Sequence, residues 1–206
     1  FSNPNLPLPD VMAAPSLWHI KDVVDKFHEK GTIVSFLPVP VNRDAVKFRK
    51  IKRAKRFVHI VGKAAFEDRN GTDIVLKSLP FIKNDVEIVF YSQDKIKGLK
   101  KIISDLKKAK SSVKITEKSL DVENYWDMYS TGDVLVLPRR YGGLTLPLNE
   151  ASAAGMIPIM PNIGPQNTFL HSFMLTPTCG KKKIMTKVEI DCYDIKPEEL
   201  AAHIDT

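Results

Sequence analysis

The chain has 206 residues, 43% of them hydrophobic, and a formal net charge of +7. That length can bury one core and a small appendage, and the lack of any run of about 18 apolar residues excludes a membrane-spanning helix. The two cysteines, Cys179 and Cys192, make neither a disulfide framework nor a metal spacing, so a reducing compartment, the cytoplasm, is expected.

The first 42 residues differ from the rest. They open on Phe1 without a charged-then-apolar leader, so no signal peptide is visible and the chain reads as trimmed. Asn3-Pro4-Asn5-Leu6-Pro7-Leu8-Pro9-Asp10 is punctuated by proline, and Ala14-Pro15-Ser16-Leu17-Trp18 reads as extended chain. A helix is expected over 20–30, ended by Gly31, then an extended connection over 33–41 holding Pro38 and Pro40. From residue 43 onward a single domain is expected.

Within that domain, strand and helix signals alternate. A strand over 57–61 ends at Gly62-Lys63. A helix over 72–83 follows, with Thr72 or Asp73 as its cap. The pattern continues with a strand over 86–90, a helix over 95–109, a strand over 113–116 and a helix over 122–130. Next come a strand over 134–137, a helix over 146–154, a strand over 156–160, a late strand over 188–193 and a closing helix over 197–204. Such alternation predicts an α/β fold, a Rossmann-like parallel sheet with helices on both faces. Ligands of such sheets bind outside the carboxyl ends of the strands.

The stretch most committed to chemistry is Arg139-Arg140-Tyr141-Gly142-Gly143-Leu144-Thr145-Leu146-Pro147-Leu148-Asn149-Glu150-Ala151. It follows the apolar run Asp133-Val134-Leu135-Val136-Leu137 and carries Pro147 in the first helical turn, with Gly155 at the C′ position. It therefore reads strand, glycine turn, helix. A helix start reached through glycines offers free N–H groups and the positive end of the dipole, an anion site. Glu150, one turn further in, is placed to accept from a ligand hydroxyl. Anion and polyol in one crevice point to a nucleotide. The same residues also fit a plain tight turn followed by a solvated glutamate.

The run from Asp133 to Gly155 resembles the signature of family-4-type GT-B glycosyltransferases, D-V-x-V-x-P-S-x-x-E-G-F-G-L-P-x-x-E-A-x-A-x-G-x-P-V. The matches are Asp133-Val134, Val136, Pro138, Gly143, Leu146-Pro147, Glu150-Ala151, Ala153, Gly155 and Pro158, all in register. The resemblance implies the C-terminal half of a GT-B fold, the nucleotide-sugar-binding domain of a hexosyltransferase-like enzyme. By the same resemblance residues 1–42 are the tail of an N-terminal acceptor domain and the linker from it.

The site residues that the resemblance implies are Gly62, Lys63, Arg69, Arg140, Gly142, Gly143, Leu144, Thr145 and Glu150. Glu150 matches the glutamate that holds the ribose, and Lys63 the basic residue that meets the donor phosphates. Two departures stand out. The family's earlier glutamate, near the donor sugar, falls on Gly142, which leaves the catalytic residues unassigned and keeps a pseudoenzyme open. Its Lys-Gly pair is here Asn70-Gly71, with Arg69 and Arg140 as candidate substitutes. Glu117-Lys118-Ser119-Leu120 takes the place of the base-binding loop. A UDP- or GDP-linked sugar is the expected donor, with no metal and no other cofactor. Arg139 to Leu144 and Asp68 to Asp73 also resemble phage and bacterial glycosyltransferases.

Tyr125, Trp126 and Tyr129 read as core or partner-facing residues, and the loop over 162–167 as a turn. Basic residues gather over 49–56, over 95–110 and at Lys181-Lys182-Lys183, the last read as a loop. Solvated faces explain such runs. A nucleic-acid-binding module, or a glycosyltransferase whose acceptor is a polyanion such as DNA, is the alternative. The fingerprints G-x-G-x-x-G, G-x-x-x-x-G-K-[ST] and G-x-S-x-G are absent. The five histidines have no metal-ligand spacing, and His59, inside a strand, reads as a core residue.

Overall fold

The computed structural model describes residues 7–17, 20, 27, 30–63, 68–121, 123 and 125–206. The helix expected over 20–30 lies largely outside them. Strands β1 (Val11–Ala14) and β2 (Ile33–Phe36) form a small parallel pair, tied at its base by the Thr32 hydroxyl donating to the Pro9 carbonyl at 2.8 Å.

The main domain begins at β3 (Arg56–Gly62) and continues through α1 (Thr72–Ser78), β4 (Glu87–Ser92), α2 (Leu99–Lys108) and β5 (Lys114–Ser119). It goes on through α3 (Asp127–Thr131), β6 (Val134–Val136), α4 (Leu146–Ala153), β7 (Ile157–Pro161) and β8 (Leu175–Thr176). These strands make one six-stranded sheet in the order β5-β4-β3-β6-β7-β8, every neighbouring pair parallel. A hairpin of β9 (Gly180–Met185) and β10 (Glu189–Asp194) precedes the closing helix α5 (Pro197–Ile204).

Alternate strand residues feed two apolar layers, as a pleat buried on both faces requires. Phe57, Ile88, Phe90, Val134 and Val136 pack with Ile74 and Val75 of α1, Leu99 and Leu106 of α2, and Leu200 and Ile204 of α5. Val58, Ile60, Val89, Tyr91 and Leu135 pack with Met128 and Tyr129 of α3 and with Leu148 and Ala151 of α4. The expected α/β class with helices on both faces is what the chain adopts. No helix among the described residues is long and apolar enough to cross a membrane.

Four local expectations need correction. The helix over 72–83 stops at Ser78 and passes into a 3-10 turn holding Pro80, which has no N–H for an α-helical bond. Its cap is Gly71 rather than Thr72 or Asp73, and the Asp68 carboxylate accepts from the Asp73 N–H at 2.7 Å. The supposed base-binding loop is the end of β5, where Glu117, Lys118 and Ser119 pair with Phe90, Tyr91 and Ser92. Lys181, Lys182 and Lys183 lie on β9, not in a loop. There Lys183 pairs across the hairpin with Asp191 at 3.0 Å and Glu189 at 3.7 Å.

Candidate functional site

The chain leaves β3 toward β4 and β5, then returns on the other side to β6, β7 and β8. The crevice between the carboxyl ends of β3 and β6 is therefore the topological switch point, where open α/β sheets take their ligands. Gly62 and Lys63 end β3, and Pro138 to Arg140 follow β6. Gly71 lets the two loops touch. It sits at φ 72°, and a Cβ there would fall 2.2 Å from the Pro138 carbonyl oxygen, so only glycine permits the approach. The Arg140 N–H then donates to the Arg69 carbonyl at 2.9 Å, joining residues 68–71 and 138–145 into one rim.

The cations on this rim differ in their pairing. Lys63 is exposed. Arg140, expected as a substitute phosphate ligand, is occupied instead: its guanidinium meets Asp73 at 2.6 Å, Asp68 at 3.3 Å and Asp194 at 3.3 Å. Burial pulls the Asp73 carboxyl upward, but hydrogen bonds from Arg140, Asp68 and Lys77 outweigh it and hold it well below the usual carboxylate range. Burial and the neighbouring Asp73 push Asp68 the other way. Arg140 thus ties the rim to β10, whose Tyr193 N–H donates to the Arg140 carbonyl at 2.9 Å.

Arg139, which the sequence reading passed over, is 8% exposed. Its Nε donates to the Tyr141 carbonyl at 3.0 Å, and its Nη1 to the Thr145 hydroxyl. Its Nη2 turns to Gly142, as does Nη2 of Arg69, whose guanidinium lies 5.6 Å from the centre of the Tyr141 ring. The available signal was that arginine stands where the resembling signature has serine.

Glu150 lies on α4, where Oε2 accepts from the Tyr125 and Tyr129 hydroxyls, each at 2.6 Å. Burial first, then the bond to Glu150, raises the Tyr125 hydroxyl to about 12 and lifts Tyr129 as well. Both phenols are therefore fixed donors, and Oε1 has no hydrogen-bond partner among the described residues. Thr145 precedes α4 without capping it through its side chain; Pro147 has no N–H and the Leu148 N–H donates to the Thr145 carbonyl at 2.9 Å, so the Leu146 N–H is what the first turn keeps for a ligand. Gly142 and Gly143 are exposed. Leu144 lines a cavity of about 170 Å³ together with Asn149, Leu17 and Phe36.

His59 is a core residue. Fully buried, it donates from Nδ1 to the Val136 carbonyl at 2.8 Å and accepts at Nε2 from the Thr72 hydroxyl at 3.0 Å. Burial lowers its pKa to about 4, so it stays neutral. A cavity of about 890 Å³ lies near the opposite end of the sheet between Leu76, Ile102, Leu106 and Pro197. Of the basic run over 49–56, Arg49 donates to the Gly132 and Tyr129 carbonyls and Arg56 pairs with Glu87 at 2.7 Å. Both of these side chains are partnered, whereas Lys100, Lys101, Lys107 and Lys108 of α2 are exposed.

The profile of the glycosyl transferases of group 1 matches residues 55–189. No curated protein matches. Among solved structures, a glycosyltransferase from Rickettsia africae aligns with a TM-score of 0.61 at 13% identity, covering 94% of this chain and 52% of that one. The pneumococcal O-GlcNAc transferase GtfA, solved with UDP and GlcNAc, aligns at 0.58 and 16% identity, covering 95% of this chain and 38% of that one. The C-terminal domain of a group 1 glycosyl transferase from Francisella tularensis aligns at 0.50 and 17% identity, covering 65% of this chain and 76% of that domain. The chain thus spans about half or less of the two longer enzymes. The shared architecture is the Rossmann-like C-terminal half of the GT-B fold.

Proposed function

Because the chain belongs to the group 1 glycosyl transferases, we propose that its switch-point crevice binds a nucleoside-diphosphate sugar for transfer to an acceptor. One observation carries this reading. Lys63 follows the carboxyl end of β3, the 142–145 loop follows β6 and Glu150 lies on the helix after that loop, with Oε1 of Glu150 left without a partner among the described residues. Oε1 accepts from the pentose hydroxyls. The N–H groups of Gly143, Leu144 and Thr145, with the Lys63 ammonium, receive the diphosphate. Gly62 ends β3, and Lys63 follows it at the carboxyl end of the strand.

In the transfer, the bond between the anomeric carbon and the diphosphate oxygen breaks, and its electron pair stays on the diphosphate. An acceptor oxygen bonds the anomeric carbon and gives its proton to a base from the N-terminal half of the enzyme. Lys63 and the loop N–H groups speed the step only as far as they grip the departing charge more tightly than the bound donor. A metal is not needed for this, and EDTA should leave transfer unchanged. A UDP- or GDP-linked hexose is the proposed donor.

Titration calorimetry with UDP and GDP tests the reading. One of them should bind, and Glu150→Ala and Lys63→Ala should each weaken it by about tenfold or more. If neither nucleotide binds, or both variants match the wild type, the assignment fails. Salt-sensitive retention on DNA that survives Glu150→Ala, without nucleotide binding, would point instead to a nucleic-acid-binding module.

A further inference from the structure

Gly142 is where two like charges meet. A Cβ built on this residue would lie 2.5 Å from Nη2 of Arg139 and 2.7 Å from Nη2 of Arg69, so both cationic nitrogens lie within 2.7 Å of one point. Gly142 holds φ 121°, a conformation that side-chain-bearing residues rarely adopt. The opening between the guanidiniums therefore exists because no side chain fills it. Neither arginine forms an ion pair among the described residues, and Nε of Arg69 is buried without a hydrogen-bond partner. Arg140, Arg56 and Lys183 all have carboxylates beside them. Two guanidiniums brought this close repel, and low local dielectric sharpens the repulsion. An anion entering past exposed Gly142 and Gly143 relieves it.

We propose that the Arg69–Arg139 pair is a carboxylate site, so that the donor's sugar is a uronic acid. This rests on the nucleotide-sugar reading above. A nucleoside-diphosphate sugar runs pentose, diphosphate, sugar. With the pentose at Glu150 and the diphosphate on the N–H groups of residues 143–145, the sugar arrives at Gly142. The diphosphate already has Lys63 and the start of α4. What remains for the two guanidinium forks is a planar anion on the sugar, and their geometry matches a carboxylate with paired hydrogen bonds.

The test compares matched donors by calorimetry: UDP-glucuronate against UDP-glucose, and GDP-mannuronate against GDP-mannose, with free UDP and GDP as references. For whichever base binds, the uronate should bind about tenfold or more tighter than the neutral sugar. Arg139→Gln and Arg69→Gln should each bring that ratio close to one while leaving affinity for the free nucleotide within about twofold. Two independent variants protect the test against one that does not fold. Equal affinity for uronate and neutral sugar in the wild type overturns the proposal while the nucleotide reading stands. So do variants that weaken the free nucleotide as much as both sugars, which would give the pair to the diphosphate. Failure of every nucleotide to bind overturns both.

Discussion

Arg139 and Arg140 are consecutive, carry the same charge and follow the same strand, yet they have opposite surroundings. Arg140 is enclosed by three carboxylates and carries the Tyr193 N–H on its carbonyl. Arg139 is bonded only to a neutral carbonyl and a hydroxyl, and its remaining nitrogen faces a second arginine across Gly142. A buried guanidinium with matched carboxylates stabilises the fold only in proportion to its geometry, and removing it leaves the acids exposed to their own repulsion. A buried guanidinium without them holds unsatisfied charge, which a ligand can use. Side-chain type therefore says less about function here than the company it keeps.

The largest effect should come from removing the contact on which both arginines depend. In Gly71→Ala the new Cβ meets the Pro138 carbonyl at 2.2 Å at positive φ, so a loss of about 3 kcal/mol or more is expected in urea denaturation. Nucleotide binding should fall with it, since the loops of both arginines separate. Separating the two arginines comes next. Arg140→Met should cost about 2–3 kcal/mol, because Asp68 and Asp73 lose their partner. Arg139→Gln should cost under about 1 kcal/mol, since it removes repulsion along with two hydrogen bonds. Equal destabilisation would show that the contrast between them is not energetic.

The scaffold side of the comparison can also be loosened by acid. His59 joins β6 to α1 through its two ring nitrogens. Its pKa is lowered to about 4 by burial, whereas the unfolded chain takes up the proton near about 6.5. Between these values the unfolded state binds more protons. Its contribution to stability is therefore complete above about pH 6.5 and is lost as pH falls toward about 4. Between about pH 7 and pH 5 the unfolding free energy should drop by about 2 kcal/mol. In His59→Gln that slope should flatten.

What the sequence disclosed follows from the range of the interactions involved. The parallel sheet was legible because strands buried on both faces are short apolar runs separated by helices of matching length, a local signal. Lys63 and Glu150 were placed by strand-turn-helix logic, also local. The partners of Arg140 and Glu150 were not, since Arg140 meets Asp73 across 67 residues and Glu150 meets Tyr129 across 21. The hairpin lysines and the end of β5 were misread as loops because long charged side chains along an exposed strand hide its period of two. Arg69 was noted as a cation near the phosphates. Its convergence with Arg139 needed the backbone of Gly142.

A modest effect is expected at Glu150 on α4. Tyr129 is buried, and its hydroxyl donates to Oε2 of Glu150 at 2.6 Å, alongside Tyr125 at the same distance. Two donors on one oxygen fix the carboxylate and leave Oε1 without a partner among the described residues, the atom proposed for the pentose. Tyr129→Phe removes one donor while the ring remains, so the core keeps its packing and the loss of stability should be about 1 kcal/mol. Nucleotide affinity should weaken a few-fold, by about threefold, because the carboxylate gains freedom rather than losing its charge. The double variant with Tyr125→Phe should weaken it further than the product of the single effects, since one tyrosine partly covers for the other. An unchanged affinity in the double variant would mean that Glu150 does not hold the pentose. The Arg69–Arg139 pair would then be the rim's remaining selective element.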